Sequence, residues 1–221
     1  MPDLPAFAAL AATPEAGLDV LALALAAEFR DVDAPEAIAT LDVLGQELAR
    51  DAALTIGGPE PLALACGRLL GGNHGFMGDR ENYDDPDNSM LDLVLERRHG
   101  LPIVLSVVYV EVARRAGIPL AGVGLPGHFV VGHFGAHPPV LLDPFAGGGT
   151  VQPRGAEAHV RPWSAHEIVM RMLNNLVSAY QRRGDLGGAL KAGRMRLTLP
   201  AYDSHRAILE AEVRAMEARL N

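Results

Sequence analysis

The stretch PIVLSVVYVEVA, residues 102–113, constrains the fold of this chain more than any other. Apolar residues occupy every side of its helical wheel until Glu111, so a helix here has no face to offer to water and belongs in the centre of a domain. Pro102 sits where proline costs nothing, in a first turn whose amide has no partner to lose, just after Gly100. Gly117 and Pro119 supply the stop, so the helix is expected to end at Ala116.

Other segments arrange themselves around that helix. Residues 16–31 and 35–53 repeat apolar positions at helical spacing, the second opening at DAPEA, where Asp33 can cap and Pro35 suits the first turn. PEPLALACGRLLGG supplies a third short helix ending in glycine. The polar stretch NHGFMGDRENYDDPDNS reads as a loop, and Asn88 or Ser89 is expected to cap a helix MLDLVLERRH stopped by Gly100. LAGVGLPGHFVVGHF and PVLLDPF, rich in valine and bounded by glycine and proline, read as antiparallel strands with AGGGT as their exit. From Ser164 the pattern returns to helix, turns at RGD, and continues as a second helix and then a third over SHRAILEAEVRAMEARL. Asn175, Leu176, Tyr180, Gly184, Asp185, Ala189 and Leu190 are spaced as in a tetratricopeptide unit. One such unit cannot bury its own face, so these helices should pack on the central domain. The expected fold is α+β: a helical layer over 1–75, a core with a small antiparallel sheet over 76–163, and paired helices over 164–221.

Hydrophobic residues make up 49% of 221, enough for a well-buried core without staples. A net charge of -8 with no run of lysine or arginine excludes a general affinity for nucleic acid, which needs a basic face. Cys66 is the single cysteine, which rules out an intramolecular disulfide and a multi-cysteine zinc site and fits a reducing cytoplasm. The first residues lack a basic leader, Glu15 and Asp19 interrupt their apolar run, and no span of eighteen uncharged apolar residues follows. A cytoplasmic protein without membrane association is the expectation.

His128 on one strand and Asp143 on the next, both after a buried helix, repeat the arrangement of cysteine-type acyl-transfer enzymes, in which the helix start and the histidine together activate a thiol. GFMGDRENYDDPDNSMLDLVLERRHGLPIVLSVVYVEVARRAGIPLAGVGLPGHF, LLDPFAGG and RMLNNLVSAY together resemble the transglutaminase-like superfamily, and within it the SirB-type bacterial branch, whose core precedes tetratricopeptide-like helices. In that superfamily glycine, any residue and the nucleophilic cysteine open the core helix, and R-x-x-G-I-P closes it. RRAGIP aligns with the closing motif, which puts GLP at the opening one and Pro102 at the nucleophile position. The resemblance makes His128 the catalytic histidine and Asp143 the aspartate that orients it. Proline supplies neither a nucleophile nor a donor. Asn88, in DPDNSML, would lie near the start of the core helices as a binding residue or serve as a cap.

Two residues could replace the missing group. Ser106 stands one turn after Pro102 and can share its face, or it can bond a backbone carbonyl as serines in apolar helices do. Cys66 lies in the apolar LALACGRLL, where a lone cysteine packs as a small hydrophobe and reacts slowly. His128 and His133 are an odd number of strand positions apart and should face opposite ways, so with His137 they make no joint zinc site. Asp79, Glu81, Asp84, Asp85 and Asp87 lack the alternation and glycine of a calcium loop and read as a solvated loop with capping duties. Trp163 should anchor the passage from strands to helices. No metal or cofactor is expected. The leading expectation is a non-catalytic protein that binds a protein or peptide partner in the old cleft or on its helical flank. The alternatives are a hydrolase or acyl transferase using Ser106 or Cys66 with His128 and Asp143, and a regulatory protein whose surface matters more than its cleft.

Overall fold

The computed structural model describes residues 4–55 and 57–220; positions 1–3, 56 and 221, which include the outer ends of the first and last expected parts, lie outside the described residues. Helices α1 (Phe7–Ala11), α2 (Leu18–Ala27), α3 (Ala34–Leu54) and α4 (Pro59–Cys66) come first, and α4 runs on into a π-helical segment, Gly67–Asn73. Strand β1 (Met77–Gly78), a 3-10 turn (Pro86–Ser89), α5 (Leu91–Arg97) and β2 (His99–Gly100) lead to the core helix α6 (Pro102–Arg115). Strands β3 (Leu120–Leu125), β4 (His128–His133), β5 (Val140–Asp143) and β6 (Gly149–Thr150) follow, then α7 (Ala165–Arg182), α8 (Leu186–Arg196) and α9 (Asp203–Leu220). β3 to β6 form one antiparallel sheet in chain order, and β1 and β2 a separate parallel pair.

Helix α6 occupies the centre that its composition requires. Ile103, Val104, Leu105, Val107, Val108, Tyr109, Val112 and Ala113 are all buried, between α3 on one side and β3 and β4 on the other. Each large apolar side chain removed from water in this way contributes roughly 1.5–3 kcal/mol. Leu101 precedes Pro102 in an extended conformation, and Gly117 ends the helix in the left-handed region at φ 73°. The Ile118 amide then donates to the Ala113 carbonyl at 2.8 Å, closing the last turn. Ile168, Val169, Met172, Leu173 and Leu176 of α7 join the same core, so the C-terminal helices pack on the central layers. The Trp163 amide donates to the Gly122 carbonyl at 2.9 Å, and its ring meets Phe129 edge-on at 5.3 Å, which pins the sheet to the start of α7.

Several local expectations need correction. Neither Asn88 nor Ser89 caps α5; its N-cap is Met90, with no side-chain cap, because the 3-10 turn has already turned Asn88 toward the preceding loop. Gly100 does not stop that helix. Arg98 does, in the left-handed region at φ 64°, held there by donation from Nη1 to the His74 carbonyl at 3.0 Å and by its place over the Phe76 ring. Gly100 instead pairs with Gly78 in the parallel ladder. AGGGT contains the edge strand β6, and α1 was not foreseen from the sequence.

Candidate functional site

Antiparallel pairing sets Val131 opposite Leu142, so one step further along the ladder Asp143 lies opposite Val130 and diagonal to His128, on the same face of the sheet. His128 Nε2 lies 2.9 Å from Asp143 Oδ2. The other carboxylate oxygen, Oδ1, accepts from the backbone amides of Phe145 at 2.9 Å and Ala146 at 3.2 Å, so the group is held from two sides. Burial pushes the Asp143 carboxyl up, but the His128 hydrogen bond and charge and the two backbone amides outweigh it and hold it below the ordinary value. In the neutral tautomer that donates from Nε2 to the aspartate, Nδ1 is the acceptor, the arrangement required of a base. The His128 side chain is 31% exposed and that of Asp143 18%, so the pair sits at the edge of the core.

The loop after Asp143 is locked from below. Gly147 and Gly148 both take the left-handed region. Their carbonyls come so close to the π-helical segment that a Cβ on Gly71 would overlap the Gly147 oxygen and one on Gly67 the Gly148 oxygen. The buried Tyr109 hydroxyl reaches the same loop from α6. Its ionisation is suppressed by burial first and by the charges of Cys66 and Asp143 next.

Phe145 joins this pair to the head of α6. Its ring lies against Gly78, where no Cβ would fit, and Gly78 pairs with Gly100, two residues before Pro102. The same ring meets His128 edge-on at 6.4 Å and Tyr83 at 6.0 Å, with the Arg80 guanidinium 5.6 Å from its centre. Phe145, Tyr83 and Arg80 were not among the residues singled out from the sequence. Only their neighbours, Asp143 and the acidic loop, carried a signal there.

Pro102 is buried at the first position of α6. Ser106 is 1% exposed and donates from its hydroxyl to the Pro102 carbonyl at 2.8 Å. Cys66 is fully buried, its Sγ donates to the Leu62 carbonyl at 3.3 Å, and burial pushes its thiol up to about 12. Asn88 is buried at the start of α6: its carbonyl accepts from the Leu101 amide at 3.1 Å, while Nδ2 donates to the Asn82 carbonyl at 2.8 Å and to Asp79 at 3.2 Å. Asp79 also accepts from the Glu81 and Asn82 amides, and Asp85 from that of Asp87, so these acidic side chains close turns. Arg182 at the end of α7 pairs with Asp84, and Arg183, its C-cap, with Asp85. His133 is buried on the face of the sheet opposite to His128, with Nδ1 accepting from the Gly135 amide. Among the described residues no three His, Cys, Asp or Glu side chains gather to hold a metal, and no helix is long and apolar enough to cross a membrane.

The family described as the transglutaminase-like superfamily matches residues 35–174. A UPF0162 protein of Xylella fastidiosa is 39% identical over 139 residues, 54% of this chain and 50% of the relative. A UPF0162 protein of Vibrio cholerae is 37% identical over 81 residues, 36% of this chain and 30% of the relative. F-box only protein 21 of Mus musculus is 32% identical over 126 residues, 49% of this chain and 20% of that protein. The chain thus spans about half the length of the Xylella relative, and less of the others. No solved structure matches it significantly.

Proposed function

Because the chain belongs to the transglutaminase-like superfamily, we propose that it is a member that has lost the nucleophile and uses the face around His128 to bind a peptide or protein segment without turnover. Pro102 at the head of α6 is the observation that carries this reading, since the helix start is where a nucleophile would gain the dipole and the histidine together. The states of the two substitutes support it. The Ser106 hydroxyl is spent on a backbone carbonyl, and a Cys66 thiol pushed up to about 12 has almost no thiolate at neutral pH. Phe145 beside the imidazole, with Tyr83 and Arg80 around its ring, supplies stacking surface and a cation suited to a peptide segment.

The finer assignment is the SirB-type branch, with 1–75 as helical layer, 76–163 as core and 164–221 as tetratricopeptide-like flank. Support for the flank comes from α7 and α8, which pack as a hairpin around Gly184, with Gly188 against the Tyr180 ring.

Restoring the nucleophile tests the proposal. A Pro102→Cys variant should gain a thiol that iodoacetamide alkylates at neutral pH, and His128→Ala in that background should slow the alkylation about tenfold or more. Wild type challenged with a p-nitrophenyl ester should release no burst and gain no acyl mass. An acyl adduct on Ser106 or Cys66 of wild type would replace this reading with that of a hydrolase or acyl transferase working with His128 and Asp143.

A further inference from the structure

A groove of about 510 Å³ lies between α7 and α9, and a hollow of about 680 Å³ continues it toward Trp163; Asn174 and His205 line both. Arg196 of α8 also lines the groove and is only 4% exposed. A guanidinium buried so deeply is costly unless its charge and its five donors are met. Nη1 donates to Asn174 Oδ1 at 3.0 Å. Glu212 Oε2 lies 2.7 Å from Nη2 as a counter-charge, but not along an N–H direction, and Nε has no acceptor among the described residues. One edge of the fork, Nε with Nη2, is therefore charged, buried in a cavity wall and poorly satisfied. Glu212, its carboxylate partner among the described residues, has a side chain 50% exposed on the outer helix.

The hollow beyond Asn174 is of a different kind. Trp163, Met170 and Pro200 line it, and Tyr202 stands over it 88% exposed. The charges along both cavities are Arg171, Arg196 and Arg219 against Glu167 and Glu212. Glu167 is already committed to Arg161 and to the Ser164 amide. In a chain of net charge -8, this is a locally cationic groove that ends in an apolar shelf.

We propose that the α7–α9 groove binds an acidic segment of a partner protein. A carboxylate side chain of that segment displaces Glu212 and takes the Nε–Nη2 edge of Arg196 in the two-bond geometry that guanidinium and carboxylate share, and a neighbouring apolar side chain lies on Trp163, Met170 and Tyr202. Charge complementarity selects the acidic residue, and because the cationic groove and the apolar hollow join at Asn174 and His205, a ligand that meets both is a chain, where a free anion would fill only one end. The site shares no residue with the His128 face and stands whether or not that face binds a ligand.

The test uses the full chain and a fluorescein-labelled, C-terminally amidated peptide, Gly-Leu-Leu-Glu-Asp-Leu-Gly, read by anisotropy. Saturable binding is expected, with the Gln-Asn analogue weaker by about tenfold or more. Tyr202→Ala, at an exposed position where no fold depends on it, should weaken binding by about threefold to tenfold. Arg196→Met should abolish binding but removes a buried group, so the deciding variant is Glu212→Gln. By releasing the Nη2 edge it should tighten binding severalfold, a gain that loss of structure cannot produce. Absence of saturable binding, equal affinity for the Gln-Asn analogue, or no tightening with Glu212→Gln each overturns the proposal. So does inorganic phosphate binding at Arg196 without peptide affinity, which would make the groove a site for a free anion. Pro102→Cys should leave the peptide affinity unchanged, so failure here and failure of the His128 reading are separately visible.

Discussion

The C-terminal end of α6 holds Glu111, Arg114 and Arg115 against Asp19 and Asp42, while the head of the same helix is linked through Phe145 to a single polar pair, His128 and Asp143. At the first, Arg115 lies 2.6 Å from Asp19, 2.7 Å from Glu111 and 2.6 Å from Asp42, and Arg114 lies 2.8 Å from Glu111. Asp19 and Glu111 are almost wholly buried, and each carboxylate has an arginine. At the second, one carboxylate orients one imidazole whose remaining nitrogen has no comparable partner among the described residues, and the imidazole is a third exposed. A buried charge cluster closed on itself holds layers together, here α2 and α3 to α6. A pair at the edge of the core adds little to that. The difference separates polar residues that serve the fold from polar residues available to a ligand, and it can be broken by experiment.

Arg115→Met should have the largest effect. It leaves the buried Asp19 and Glu111 to the more exposed Arg114 alone and should cost about 3 kcal/mol in urea denaturation, whereas His128→Ala should cost less than about 1 kcal/mol. Similar losses for the two variants would erase the distinction and make the histidine a structural residue. Gly71→Ala comes next: its Cβ would overlap the Gly147 carbonyl, so the loop that carries Asp143 must shift, at about 1–3 kcal/mol. The shift should also appear in the His128 ring resonances, while Gly72→Ala, with open space at its Cβ, should leave them unchanged.

Acid sharpens the comparison further. Asp143 and Asp19 are both held below the ordinary carboxylate value of 3.8: burial pushes each up, and the hydrogen bonds and charges of His128 or of Arg115 outweigh it. A folded-state value below the unfolded one contributes stability that is present above pH 3.8 and lost as the pH falls through the lower folded value. The loss from Asp143→Asn, about 1–2 kcal/mol, should therefore still be present at about pH 4 and shrink below it.

Cys66 should show the smallest effect near neutrality. Its folded thiol keeps its proton up to about 12 against an ordinary 9.0, so its contribution is fully present below pH 9.0 and is lost as the pH rises toward 12. Iodoacetamide at neutral pH should modify the native protein far more slowly than the urea-unfolded chain. Rapid native labelling that slowed in His128→Ala would bring Cys66 into the site.

Much of the architecture was legible because it depends on local chemistry. Pro102 and Gly117 bound α6, Asp33 caps α3 with its carboxylate on the Glu36 amide, and Ser164 and Glu167 form a reciprocal cap on α7. The alternation of strand side chains by itself puts His128 and His133 on opposite faces. Asn88 was harder to read. Its polar side chain before a helix has the appearance of a cap, yet Asp79 and Asn82, six to nine residues earlier, take its donors.

What the sequence by itself determined is the longer helices and the β3–β5 strands, the buried helix at their centre, and the presence of a proline at position 102, because propensity, capping and the chemistry of a proline act over a few residues. Only the tertiary structure decided that Arg98, a residue with a Cβ, would accept a left-handed turn, that Phe145 would bridge the head of α6 to His128, and that Arg196 would be buried in the wall of a groove with one edge of its guanidinium poorly satisfied. Each of these is a local cost met by partners distant in the chain. Arg98 is held by His74 and Phe76, Phe145 by a glycine at position 78, and Arg196 by Asn174 and Glu212. Contacts of that kind follow from how layers meet, and the pattern of any one segment does not contain them.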